Sequence, residues 1–212
     1  MLIRNYGNGT ACRIDVPLLP IAHEGRPRPS RLTWDEVTFM FTDLEGSTGL
    51  IERLGDRRAL RIMDTYDHLI RAELPHFLGR EVDQRGDGFW LVFPSAPLAV
   101  YCAISIQKSC AAYATIHPSQ FVRVRIGVHT GRVIRYRHAF FGKDVVIAAR
   151  IMGEAKGGEI LISERAREAV DGIEGVAFSP PRMTELKGLR GPYLLHSAQA
   201  VARAEEERCL GN

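Results

Sequence analysis

Two aspartates, Asp43 and Asp87, stand where metal–phosphate chemistry is easily built. Asp43 follows the run Val37-Thr-Phe-Met-Phe41 and precedes Leu44-Glu-Gly-Ser-Thr48. A carboxylate at a strand end can hold the divalent cation that accompanies a polyphosphate. The glycine turn and helix start behind it offer main-chain N–H groups to phosphate oxygens. Asp87 sits in Gly86-Asp-Gly88, between two short strand-like runs. The same residues also describe two ordinary turn aspartates, so their mutual placement decides between the readings.

The elements that must position them follow from periodicity. Val37–Phe41 is an unbroken β-branched and aromatic run, suited to a strand buried on both faces and ending before Asp43. Ser47 or Thr48 is a suitable N-cap for a helix over 47–54, interrupted at Gly55-Asp56. A second helix over about 58–77 carries Leu60, Met63, Ile70, Leu74 and Phe77 at helical spacing. Strands near 80–83 and 89–93 flank Gly86-Asp-Gly88 as a hairpin. A helix over 98–115 follows, then alternating strands over 121–129 and 132–136, with Thr130-Gly131 read as a turn between them.

The order β-α-β-β-α-β is that of a ferredoxin-like α+β sandwich, with a mostly antiparallel sheet and its helices on one face. It sets the hairpin carrying Asp87 in the middle of the sheet, beside the strand that leads to Asp43. Two carboxylates that close together are costly unless a metal neutralises them, as in two-metal sites. Beyond this unit, a helix over 142–155 ends at Gly157-Gly158, and further short elements run over 159–162, 163–170, 176–178, 182–186 and 193–197.

Composition sets outer bounds. The 212 residues suit one domain, read as 34–198, with an N-terminal extension over 1–33 and a charged tail over 199–212. A formal charge of +3 is too small to imply nucleic acid or an anionic membrane as partner. There is no transmembrane-length run and no signal-peptide layout. The four cysteines, Cys12, Cys102, Cys110 and Cys209, have no metal spacing, and Cys102 and Cys110 fall in an apolar helical pattern. A reduced, cytoplasmic protein is expected.

Several segments in order resemble the class III nucleotidyl (adenylate/guanylate) cyclase catalytic domain. They are Phe41-Thr-Asp-Leu-Glu-Gly-Ser-Thr48, Gly86-Asp-Gly-Phe89, Arg125-Ile-Gly-Val-His-Thr-Gly131, Phe141-Gly142, Ala148-Ala-Arg-Ile151, Gly157-Gly-Glu-Ile-Leu-Ile-Ser163 and Leu186-Lys-Gly-Leu189. The resemblance implies a homodimer with sites at the subunit interface. It also implies conversion of a nucleoside triphosphate to a 3′,5′-cyclic nucleotide and pyrophosphate with Mg²⁺ or Mn²⁺, two ions per site. It maps the metal ligands onto Asp43, Asp87 and the main-chain carbonyl of Leu44, and the phosphate-holding turn onto Glu45, Gly46, Ser47 and Thr48. Arg150 falls on the arginine, in the half-site contributed by the other subunit, that stabilises charge on the transferring phosphoryl group.

Three positions depart from the family pattern. The base-reading lysine, four before the second metal aspartate, is Asp83; the base-reading aspartate, three before Gly142, is Ala139; the ribose-orienting asparagine, four before Arg150, is Val146. Asp83 cannot donate a hydrogen bond when ionised, and neither Ala139 nor Val146 offers a polar side chain. Gln84, Arg85 and Arg137 are the polar residues near enough in sequence to substitute. The expectation is an atypical cyclase, with ATP as first substrate. The alternatives are a cyclase of altered, pyrimidine, specificity, a nucleotide-binding pseudo-cyclase with regulatory function, and a plain interaction domain.

Overall fold

The computed structural model describes residues 34–136 and 139–201. The extension over 1–33 and Arg137 therefore lie outside the described residues. The element order is β1 (Trp34–Glu45), α1 (Ser47–Leu54), α2 (Asp56–Glu73), β2 (Arg80–Arg85), β3 (Gly88–Phe93), α3 (Ala96–Ile116), β4 (Arg123–Tyr136), β5 (Ala139–Phe141), α4 (Lys143–Glu154), β6 (Ile160–Ser163), α5 (Glu164–Glu168), β7 (Val176–Phe178), β8 (Arg182–Glu185) and β9 (Pro192–Ala200). One sheet runs β2-β3-β1-β4-β6-β9-β7, with β5 added on β4 and β8 on β9. The first four strands in that order are those of a ferredoxin-like sandwich, and only β4–β6 pairs in parallel among the described strands. Among the described residues no helix is long and apolar enough to cross a membrane.

Alternation along β1 divides the core. Met40 and Leu44 join Ala59, Ile62, Tyr66 and Ile70 of α2 and Ala99, Ala103 and Ile106 of α3 in one apolar layer. Phe39 faces the other way, with Val133 and Ala148. As expected for the β-α-β-β-α-β unit, α2 and α3 cover one side, while α4, which follows that unit, crosses the opposite side over β1 and β4.

Two glycines of the β4 motif explain how α4 lies so close. A Cβ on Gly127 would fall on the main chain of Met152, and one on Gly131 would fall on Asp144. Gly131 is therefore not a turn. β4 runs unbroken through Thr130 and Gly131, which pair with Thr38 and Val37 of β1. The expected two strands are one because β1 supplies partners from Arg123 to Ile134, across the expected turn. β9 likewise continues to Ala200, two residues into the segment read as tail.

The β2–β3 hairpin is at the edge of the sheet rather than in its middle, although β3 does pair with β1. α2 clamps it there. Arg71 donates to both carboxylate oxygens of Glu81 (2.8 and 3.0 Å) and to Gln84 Oε1 (2.6 Å). The Gln84 amide in turn donates to Asp67, whose carboxyl is raised above the ordinary range by burial, partly offset by Gln84 and Arg71.

Candidate active site

Asp43 lies within β1, not beyond its end, because pairing with β4 carries the strand on to Glu45. Its cross-strand partner is Arg125, whose guanidinium donates to Asp43 Oδ2 through Nε at 3.1 Å and through Nη2. On the opposite edge, β3 stops pairing at Phe41–Trp90. The Thr42 carbonyl faces Gly88, at 2.7 Å from where a Cβ would be, so only glycine fits there. Carbonyls two apart on a strand point the same way. The Leu44 carbonyl is thus directed to the same edge, past the end of the β1–β3 ladder, while its side chain is buried.

Asp87 occupies the two-residue turn between Arg85 and Gly88, with Gly86 in the left-handed region (φ 62°). Its Oδ2 is buried and has no hydrogen-bond partner. Such an atom costs about 1–3 kcal/mol, more for an ionised group, unless something electropositive meets it. Gly88, next in the chain, lies against Thr42 and Asp43, with Asp43 Oδ1 at 3.8 Å from its would-be Cβ. The turn that carries Asp87 is therefore beside Asp43. Among the described residues no group of three or more His, Cys, Asp or Glu is arranged to hold a metal. Two carboxylates and one carbonyl, left incomplete, fit a hard cation whose shell is completed by phosphate and water, as for Mg²⁺.

The phosphate turn is placed with two corrections. The N-cap of α1 is Gly46 (φ 74°), not Ser47 or Thr48, and no side chain caps the helix. The first intrahelical bond is Leu50 N–H to Gly46 O, which leaves the amides of Ser47, Thr48 and Gly49 without an intrahelical acceptor. The Glu45 carboxylate turns elsewhere, accepting from Gly157 N–H at 3.0 Å with Arg123 at 3.9 Å. Only its main chain remains for an anion.

A cavity of about 490 Å³ opens beside Asp43 and reaches Arg150 and Val146 of α4. Arg150 is exposed, and its Nε donates to the Lys187 carbonyl at 3.1 Å. Asp83 lines the same cavity but is engaged by Arg85, at 2.8 Å. Val146 is 44% exposed there, and Phe141 on the adjoining rim 72%. Ala139 is in β5, opposite Tyr136. Gln84 is held by α2, so among the described residues Arg85 is the polar substitute that lines the cavity. Its apolar wall comes from Phe41 stacked on Trp90 (centroids 5.6 Å apart, 16° between planes) and from Phe140, 6.3 Å from Trp90.

Sequence reasoning missed Arg125 and this aromatic wall. Arg125 is recognisable only from the β1–β4 register, which pairs it with Asp43 across 82 positions of chain. The Phe41–Trp90 stack needs the β1–β3 register in the same way.

The chain is 26% identical over 167 residues to the serine/threonine-protein kinase pkn2 of Myxococcus xanthus, covering 78% of this chain and 20% of that protein. It is 28% identical over 171 residues to a putative adenylate cyclase 3 of Rhizobium meliloti, covering 80% and 29% respectively. It thus spans less than a third of either relative. The adenylyl cyclase CyaB from P. aeruginosa shares the fold at a TM-score of 0.72 and 19% identity, over 81% of this chain and 97% of that one. Residues 31–198 match the adenylate and guanylate cyclase catalytic domain model, and the chain belongs to that family.

Proposed function

We propose that this chain is a nucleotidyl cyclase, converting a nucleoside triphosphate, ATP first, to a 3′,5′-cyclic nucleotide and pyrophosphate at a homodimer interface. The observation that carries the reading is the orphaned, buried Oδ2 of Asp87 beside the strand that holds Asp43. With the Leu44 carbonyl, these residues would hold Mg²⁺ or Mn²⁺, which supplies activation of the ribose 3′-hydroxyl and neutralisation of the triphosphate. The free amides of Ser47, Thr48 and Gly49 bind phosphate oxygens, and Arg150, in the half-site contributed by the other subunit, neutralises charge on the transferring phosphoryl group. Exposed Phe141 and Val146 beside Arg150 are apolar surface suited to burial by a second copy.

Base selection rests on shape more than on hydrogen bonds. The carboxylate of Asp83 is taken by Arg85, and the wall nearby is aromatic. A site without a dedicated donor discriminates weakly between bases. The same facts favour a second reading, a dimeric pseudo-cyclase that binds nucleotide without turnover, since Val146 leaves the ribose without a polar contact on α4.

The test is incubation of purified protein with ATP, GTP, CTP and UTP separately, in Mn²⁺ and in Mg²⁺, with products read by mass spectrometry and Asp43→Ala as the blank. A cyclic nucleotide above the blank establishes the enzyme and its base. Metal-dependent nucleotide binding without product selects the pseudo-cyclase.

A further inference from the structure

One buried polar cluster lies outside the chemistry above. His129, only 5% exposed, projects from β4 toward α4. Its Nδ1 is 2.7 Å from Ser163 Oγ, an oxygen that already accepts the Ala166 N–H at 3.2 Å. The second ring nitrogen, Nε2, faces α4. That nitrogen is buried, has no hydrogen-bond partner and lies 3.5 Å from Asp144 Oδ1. The other oxygen of Asp144 accepts the Arg132 N–H at 2.7 Å. Gly131 lies between, directly beneath the carboxylate. Arg165 of α5 also acts on Asp144 from a distance and is itself paired with Glu36 of β1 at 2.8 Å.

Asp144 is in the first turn of α4, the helix that carries Val146, Ala149 and Arg150 into the cavity. The far end of α4 is fixed separately, by Met152 against Gly127 and by Arg150 on the Lys187 carbonyl. Two fastenings stop a helix from rolling; one does not. A guanidinium about 7 Å from the axis moves about 1 Å for a roll of about 10°, and a misplacement of that size costs about 100-fold in rate.

We propose that Asp144 is a positioning residue: hydrogen-bonded to the Arg132 amide and set against His129, it fixes how α4 presents Arg150 to the cavity. This rests on the cyclase reading of the same site. The interaction has an electrostatic counterpart, since His129 first, and the Arg132 amide, hold the Asp144 carboxyl below the usual carboxylate range against the effect of burial.

The experiment compares wild type, Asp144→Ala, Asp144→Asn, His129→Gln, Arg150→Ala and the double variant Asp144→Ala/Arg150→Ala, all in the full chain. Amide hydrogen exchange over residues 143–154 is measured without nucleotide, and kcat and KM are measured in Mn²⁺. Asp144→Ala is expected to speed exchange in α4 about 10-fold or more, and to lower kcat about 10- to 100-fold with KM nearly unchanged. Asp144→Asn, which keeps an acceptor for Arg132, should fall between it and wild type, and His129→Gln should share its direction. In the Arg150→Ala background, Asp144→Ala should lower kcat no further. Unchanged exchange in folded Asp144→Ala, wild-type kcat, or full additivity with Arg150→Ala overturns the proposal. If Asp144→Ala does not fold, Asp144→Asn and His129→Gln carry the same comparison. A wild type that makes no cyclic nucleotide refutes the cyclase reading instead, and the exchange data alone then sustain or overturn the fastening of α4.

Discussion

The two aspartates should respond with opposite signs when each is changed to asparagine in metal-free protein. Asp87 Oδ2 is buried and unpartnered, so Asp87→Asn removes an uncompensated charge. Asparagine keeps a polar atom there, so only the share of that cost due to charge is relieved, about 1–2 kcal/mol. At about 2–4 °C per kcal/mol for a domain of this size, the melting temperature in EDTA should rise by about 2–8 °C. Asp43 instead forms a partly buried ion pair with Arg125, at 23% and 30% side-chain exposure. Asp43→Asn keeps an acceptor but loses the charge, a destabilisation of about 1–2 kcal/mol. The assay is thermal unfolding by circular dichroism at fixed protein concentration, in EDTA and then in Mn²⁺. Mn²⁺ at about one hundred times its Kd should stabilise wild type by about 2.7 kcal/mol, and both variants should lose that gain. A metal-free Asp87→Asn that melts below wild type would refute the orphan-charge reasoning. An undiminished Mn²⁺ shift in either variant would refute the assignment of that carboxylate to the metal.

Three further outcomes follow from the packing and the titratable groups. Gly127→Ala drives a methyl onto the main chain of Met152 and should cost about 1–3 kcal/mol or more, whereas Gly153→Ala, with open space at that point of α4, should gain about 0.5–1 kcal/mol; thermal melts compare them. Because the folded-state pKa of Asp144 is depressed, its ionised form contributes stability above the ordinary aspartate value of about 3.9. The stability difference between wild type and Asp144→Asn should therefore hold from neutral pH to about pH 5 and vanish as pH falls through the depressed pKa, in urea melts across that range. Burial pushes the Cys102 and Cys110 thiols up to about 12, so peptide mapping should find both unmodified by iodoacetamide at pH 8 until the protein is unfolded.

The legible features are those whose signal is local. Helical spacing marks α2 and α3, and the turn chemistry of Gly86 marks the β2–β3 hairpin, so the β-α-β-β-α-β order could be read directly. Cys102 and Cys110 fall in the same apolar periodicity, and both are buried. What could not be read is fixed by register between distant strands. Arg125 becomes a neighbour of Asp43 only through the β1–β4 pairing, and the direction of the Glu45 side chain depends on where the Gly157 amide arrives.

Gly131 shows how one residue type can carry two opposite messages. After a β-branched run, Thr-Gly reads as a turn, because glycine usually marks the place where a chain needs unusual backbone freedom. Here Gly131 stays in the sheet opposite Val37, and it is glycine because the Asp144 side chain occupies the space above it. Gly127 does the same for Met152. Two glycines four apart on one face of a strand are therefore the imprint of a closely laid helix rather than of a bend. That spacing is visible in Arg125-Ile-Gly-Val-His-Thr-Gly131 without any structure. Read as a packing signal, it would have kept β4 whole and put α4 on the face opposite α2 and α3. It would also have brought Arg150 to the side of the sheet that Asp43 faces.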